Sequence, residues 1–188
     1  MWYRITQLLF LLPLIALPTL GHTEPDVWNV WKQPGVHAIM RHASAPGFGD
    51  PEGFTLGNCA TQRNLSKAGR EEASALGAAI RHRGIELTAV YSSQWCRCLH
   101  TAQELMLGKV QALPALNSFF QGRGSSKAQT EALKKHLAML QPGEKVLYVT
   151  HQVNTTALTG IYPNSGEVVL FRFTPQGDVN VVGRVQMP

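Results

Sequence analysis

Val36-His37-Ala38-Ile39-Met40-Arg41-His42 is the stretch that decides the fold. Val36 to Met40 is a short apolar run bounded upstream by Pro34-Gly35, too short for a helix and without the strict alternation of a half-exposed strand. It reads as a strand buried on both faces, and such strands belong to sheets covered by helices on either side. The run stops at two polar residues, so Arg41 and His42 stand where the strand leaves the sheet.

Working outward, the same grammar repeats. Upstream, Asp26 to Lys32 carries Val27, Val30 and Trp31 at helical spacing. Downstream, Ser66 is a good N-cap for a helix with Leu76, Ala79 and Ile80 on its apolar face, ended by Gly84. Leu87 to Tyr91 reads as a second strand, with Ser92-Ser93 as the cap of a helix running to about Leu107. Ser126 to Leu140 is a helix closed by Pro142-Gly143. Lys145 to Thr150 is a strand with the apolar core Val146 to Val149, and His151 follows it directly. Val168 to Phe173 and Val179 to Val185 flank the turn Pro175-Gln176-Gly177-Asp178 as a closing pair of strands. Strands alternating with helices predict an α/β fold with a mainly parallel sheet.

The chain has 188 residues, 44% hydrophobic and 15% charged, a composition that excludes disorder, collagen and coiled coil. The net charge is +5, yet no basic run exceeds two residues, which gives no support to a nucleic-acid partner or a polybasic membrane tail and suits anionic small ligands. Arg4 followed by an apolar stretch from Ile5 to Leu20, and small residues in Thr19-Leu20-Gly21, predict a leader over residues 1–21 and a single domain over 22–188. The apolar stretch contains Pro13 and Pro18 and is shorter than the roughly 20 residues of a spanning helix. The expectation is export, to the periplasm or beyond, with no stable membrane insertion after cleavage.

Three cysteines in an oxidising compartment leave at least one unpaired within the chain. Cys96-Arg97-Cys98-Leu99-His100 offers metal-ligating types, but on a helix Cys98 points about 200° away from Cys96, so buried thiols with one bridge, from Cys59 to Cys96 or to Cys98, is the preferred reading and no metal is expected. Arg81, His82, Arg83 and His136 read as a solvated helical face, and Trp28, Trp31 and Phe119-Phe120 as core or pocket wall.

Ligands of open α/β sheets bind beyond the carboxyl ends of the strands. Three strand ends here deliver Arg41-His42, the segment from Ser92 to Arg97, and Thr150-His151. Guanidinium forks match phosphate oxygens and an imidazole is a competent nucleophile toward phosphorus. From Ala43 to Asn64 the chain is rich in Gly, Pro and polar residues without periodicity, too long to be a mere connection and characteristic of a site. Ser44 and Arg63 in this segment are candidate substrate-binding residues.

The chain resembles the histidine phosphatase superfamily, also called the phosphoglycerate mutase-like family. The resemblance rests on Met40-Arg41-His42-Ala43 for the Arg-His-Gly signature, Leu65-Ser66-Lys67-Ala68-Gly69 for the Leu-Ser-x-x-Gly helix start, Tyr91-Ser92-Ser93 with Arg97 and Thr101-Ala102, and Val149-Thr150-His151. It implies a three-layer α/β/α sandwich of the phosphoglycerate mutase type and a phosphatase without cofactor or metal. In that mechanism neutral His42 attacks phosphorus while Arg41, Arg97 and His151 hold the equatorial oxygens. Two departures stand out: Ala43 replaces the signature glycine, and the family's leaving-group acid is missing, since Asn117-Ser118-Phe119-Phe120 and His151-Gln152 offer no carboxylate. Asp50 or Glu52 is the candidate substitute. The short exported form is similar to the enzyme that removes phosphate from lipopolysaccharide-core heptose, which implies an envelope glycan phosphate as substrate. The alternative is a catalytically weak phosphate-ligand binding protein, and a phosphomutase comes third because export removes it from metabolic phosphosugars.

Overall fold

A computed structural model describes residues 26–186, so the leader expected over residues 1–21 lies outside the described part. The chain order is α1 (Val27–Lys32), β1 (His37–Arg41), α2 (Lys67–His82), β2 (Ala89–Ser92), α3 (Cys96–Glu104), β3 (Val110–Ala112), α4 (Ser126–Ala138), β4 (Val146–Thr150), α5 (Gln152–Thr159), β5 (Val168–Phe173) and β6 (Val179–Val185). The strands form one sheet in the order β3-β2-β4-β1-β5-β6. β3, β2, β4 and β1 pair in parallel, while β5 runs antiparallel to both β1 and β6. The sheet is therefore mainly parallel, as the alternation predicted.

The period of two along each strand divides the core into two layers. Ala38 and Met40 of β1, with Leu147 and Val149 of β4, pack toward Trp31 of α1, Leu76 and Ile80 of α2 and Ala102 of α3. Ile39 and Tyr148 face the opposite way, onto Leu133 and Leu137 of α4 and Leu158 of α5. That is the three-layer sandwich, and it explains why β1 and β4 contain no alternation: both of their faces are covered.

Some local expectations need correcting. Ser92-Ser93 do not cap α3; the helix starts at Cys96 after Trp95 and ends at Glu104, where Leu105 N–H still bonds Thr101 and Met106 takes φ 53°. β3 and α5 have no strong periodic signal of their own and were not anticipated. His136 is not a solvated residue: its Nδ1 hydrogen-bonds Tyr148 Oη at 2.9 Å and its ring packs edge-on against Tyr91. Among the described residues, no helix is long and apolar enough to cross a membrane.

Candidate active site

The sheet register puts the three candidate strand ends side by side. Arg41 is level with Thr150, and Ser92 with Val149. One step further along, His42 N–H donates to Thr150 O at 2.9 Å and Ser93 N–H to Val149 O at 2.9 Å. His42, His151 and Ser93 are thus the first residues beyond three adjacent strands, and the imidazole centroids of His42 and His151 lie 5.6 Å apart.

A cavity of about 180 Å³ opens there, lined by Arg41, His42, Arg63, Arg97 and His151 among others. His42 Nδ1 lies 2.8 Å from Ala43 O, a contact that only an Nδ1–H donor can make, so Nε2 carries the lone pair. Burial, then the charges of Arg97, Arg41 and Arg63, depress the His42 pKa to about 3, outweighing the hydrogen bond to Ala43. The ring is neutral at any ordinary pH. His151 is held well below its usual range by the same causes, burial first and Arg97 next. Arg97 Nη2 donates to His151 Nδ1 at 3.4 Å, so His151 carries its proton on Nε2 and donates it to Ser93 Oγ at 2.9 Å. Ser93 in turn donates to Asn117 Oδ1 at 3.3 Å.

The scaffold explains the short motifs. Ala43 is fully buried and its φ is not positive, so a residue with a Cβ is tolerated where the signature has glycine; its N–H donates to Thr101 Oγ1 at 3.0 Å while Thr101 donates to Arg97 O at 2.7 Å. Thr101 so couples the residue after the first histidine to the helix that carries Arg97. Ser66 Oγ caps α2 by accepting from Gly69 N–H at 3.0 Å, and Ser66 N–H donates to Ser44 O at 3.1 Å. A Cβ on Gly69 would stand 2.1 Å from Ser44 O, so only glycine permits α2 to start against the loop leaving His42.

Other candidates behave differently. Ser44 does not line the cavity; its backbone is tied to α2, with N–H donating to Glu72 at 3.0 Å. Glu52 is exposed and also away from the lining. Asp50 accepts from Arg97 through both guanidinium nitrogens and from Trp95 Nε1 at 3.0 Å, with Arg123 at 3.9 Å. Burial raises the Asp50 pKa, but these hydrogen bonds and charges win and hold it below the usual carboxylate value. An ionised, fully engaged carboxylate has no proton to give, which corrects its reading as the leaving-group acid. Arg63 lines the cavity, its Nε bonded to Gly49 O at 2.9 Å. Phe120, read from the sequence as core or pocket wall, lines the cavity, and so do Ser118, Phe48 and Tyr162, which escaped the sequence reading because nothing in their spacing marks them.

The bridge forms between Cys59 and Cys96, leaving Cys98 free and buried. With Cys96 consumed, the Cys96, Cys98 and His100 triplet offers no metal centre.

The sequence pattern of the histidine phosphatase superfamily, branch 1, matches residues 38–136, which includes Arg41, His42 and Arg97 and stops short of His151. The chain belongs to that superfamily. It is accordingly a phosphoric monoester hydrolase. Compared by sequence with curated proteins, the chain finds no match. Solved structures share its fold: the protein histidine phosphatase SixA complexed with tungstate has a TM-score of 0.59 at 16% identity, covering 80% of this chain and 96% of that one. YhfR of Bacillus stearothermophilus gives 0.57 at 17%, covering 78% and 94%. Phosphoserine phosphatase of Entamoeba histolytica, complexed with 3-phosphoglyceric acid, gives 0.57 at 14%, covering 81% and 97%.

Proposed function

We propose that this chain is an exported phosphatase that hydrolyses a phosphomonoester through a phosphohistidine on His42. The observation that carries the reading is the state of His42: neutral, its Nδ1–H tied to Ala43 O and its Nε2 lone pair left free, inside a cavity lined by three arginines. The Nε2 lone pair forms the N–P bond as the P–O bond to the leaving group breaks, and the leaving oxygen takes its proton from solvent, because no carboxylate among the described residues lines the cavity. Water then attacks phosphorus, the N–P bond breaks, and phosphate departs. Arg41 and Arg97 hold the equatorial oxygens, His151 joins them as its Nε2–H turns from Ser93 Oγ to a phosphoryl oxygen, and Arg63 orients the substrate. Arg41 Nε and Arg97 Nε are buried donors without an acceptor among the described residues, which an oxyanion would satisfy. The tungstate on SixA, a tetrahedral oxyanion on the same fold, supports this reading.

Export and an envelope glycan phosphate as substrate rest on the sequence of the first 21 residues, on the resemblance to short exported family members, and on the Cys59–Cys96 bridge, a bond suited to an oxidising compartment. The missing carboxylate favours a second reading, a phosphate-ligand binding protein with little turnover. Acid-labile, base-stable labelling of the wild type by a phosphorylated substrate, lost in His42→Ala with the fold kept, is the expected result. Turnover by His42→Ala within tenfold of wild type would overturn the nucleophile. Binding of phosphate without any turnover would select the second reading, and fractionation of cells expressing the full chain places it inside or outside the cytoplasm.

A further inference from the structure

Three aromatic side chains stand with much of their surface in water around the mouth of the His42 cavity. Phe48 is 84% exposed, Tyr162 70% and Phe120 36%, and all three line the cavity. They come from three separate segments. Phe48 is at the tip of the loop after β1, between Gly47 at φ 100° and Gly49 at φ 64°, left-handed conformations that suit glycine. Phe120 follows Ser118, whose Oγ accepts from Phe120 N–H at 3.2 Å, and precedes Gln121 at φ 55°. Tyr162 precedes Pro163, whose carbonyl accepts from Arg41 Nη1 at 3.2 Å. Phe48 and Phe120 meet edge to face with centroids 5.2 Å apart. Exposed apolar rings on a soluble surface are costly in water, and backbone held in sparsely populated conformations at both loop tips indicates a place where ring position matters.

The arginines and histidines of the cavity suit the phosphoryl group, and the three rings line the same space of about 180 Å³ at its exposed side. Whatever the phosphate is attached to must emerge past the three rings. We propose that Phe48, Phe120 and Tyr162 form the leaving-group subsite, and that the preferred substrates are phosphomonoesters whose leaving group lays the face of a ring, aromatic or sugar, against them. This deepens the reading of the cavity as a phosphomonoesterase site and rests on it. Ring faces stack on aromatic side chains without needing directional hydrogen bonds, so the rim selects shape rather than one compound.

Phosphonates test the rim without turnover, since a P–C bond is not hydrolysed in this chemistry. In titration calorimetry on the full chain, phenylphosphonate is expected to bind about tenfold or more tightly than methylphosphonate. The preference falls toward unity in Phe48→Ala, Phe120→Ala and Tyr162→Ala, with methylphosphonate affinity unchanged within twofold, and it survives in Tyr162→Phe. All three positions are exposed, so these variants keep the fold. Equal affinity of the two phosphonates for wild type, or a preference that outlasts the triple alanine variant, overturns the subsite. Binding of neither phosphonate sinks both the subsite and the phosphate cavity, whereas normal phosphonate selectivity without turnover of phenyl phosphate sinks only the hydrolase reading. Competition by glucose 6-phosphate against glycerol 3-phosphate separates the two ring sources: tighter binding of the hexose extends the subsite to sugars, and parity confines it to aromatic rings.

Discussion

Asp50 and Arg97 face each other with side chains each only 4% exposed, the carboxylate taking both guanidinium nitrogens while the Trp95 indole fills its remaining lone pairs. The residue that the chain offers as a leaving-group acid is instead a holder of the arginine that receives the phosphoryl oxygens. Removing one partner of a buried ion pair leaves the other uncompensated, at about 3–5 kcal/mol. Asp50→Ala is therefore expected to lower thermal stability, and Asp50→Asn, which keeps an acceptor, to lower it less.

The same relationship predicts how the Asp50→Asn activity divides between substrates. Protonation of a leaving oxygen is worth ~10²–10⁴ in rate for an alkyl phosphate and little for an aryl phosphate, so a lost acid shows as a selective loss on alkyl substrates. A displaced Arg97 harms both, by up to ~10²-fold. We expect equal losses in kcat/KM on phenyl phosphate and glycerol phosphate. A loss confined to glycerol phosphate would restore Asp50 as the proton donor.

The depressed pKa of His42 makes a prediction about acid stability. The unfolded imidazole titrates near its ordinary value of 6.5 and the folded one near 3, so below pH 6.5 the unfolded chain binds a proton that the folded one refuses. Stability drawn from neutral His42 is complete above pH 6.5 and declines as pH falls toward 3. His151 acts in the same direction. Asp50, depressed from 3.8, adds a decline that begins as pH falls through that ordinary value and is complete once its lower folded value is crossed. Urea midpoints measured from pH 7 to pH 4 should fall less steeply for His42→Ala than for wild type; parallel curves would show that the imidazole is not kept neutral by the fold. No activity loss from His42 protonation is expected above about pH 4.

Gly69 carries a prediction that sequence pattern alone could not quantify. The clash of an added Cβ is with a backbone oxygen, at 2.1 Å, so no rotamer change relieves it, and α2 must move away from the segment that follows His42. Gly69→Ala is expected to cost roughly 1–3 kcal/mol or more and to lower kcat/KM together with phosphate affinity. Thermal melts with and without phosphate check both; a variant with wild-type melting temperature would mean that the helix start tolerates a side chain.

How much of this was legible differs by residue for physical reasons. β1, β4 and β5 were readable because buried strands leave apolar runs, and β6 because a strong turn joins it to β5. α2 was readable from a cap and an apolar face. β3 was not, since Val110–Ala112 is three residues at a sheet edge with two of them exposed, and its place comes from pairing with β2. Arg41, His42, Arg97 and His151 were placed together by the rule of strand carboxyl ends. The ion pair of Asp50 lay beyond the sequence because it joins positions 47 apart through an aperiodic loop. The aromatic rim was missed for the same reason: Phe120 was read only as core or pocket wall, and Phe48 and Tyr162 are isolated in sequence and join it only in three dimensions.

The Cys59–Cys96 bridge ties the loop that bears Asp50 and Arg63 to the residue before Arg97, across a sequence separation of 37. Gln62 Oε1 accepts from Cys96 N–H at 2.9 Å beside it, so the loop is anchored to the start of α3 by a covalent bond and a hydrogen bond together. Closing a loop of that length restricts the unfolded chain by about 4 kcal/mol in the chain-entropy account. Reduction, or Cys59→Ser, is therefore expected to lower the melting temperature by roughly 8–16 °C in a domain of this size. Cys98 has no access to solvent, and burial pushes its thiol up to about 12 despite the nearby Arg97 charge, so it stays a thiol and does not react while the protein is folded. Alkylation followed by mass spectrometry should then find no modified cysteine in the native protein, one after denaturation without reductant, and three after reduction. Three modified cysteines without reductant would remove the bridge, and with it the account of how the Asp50 loop is held to Arg97.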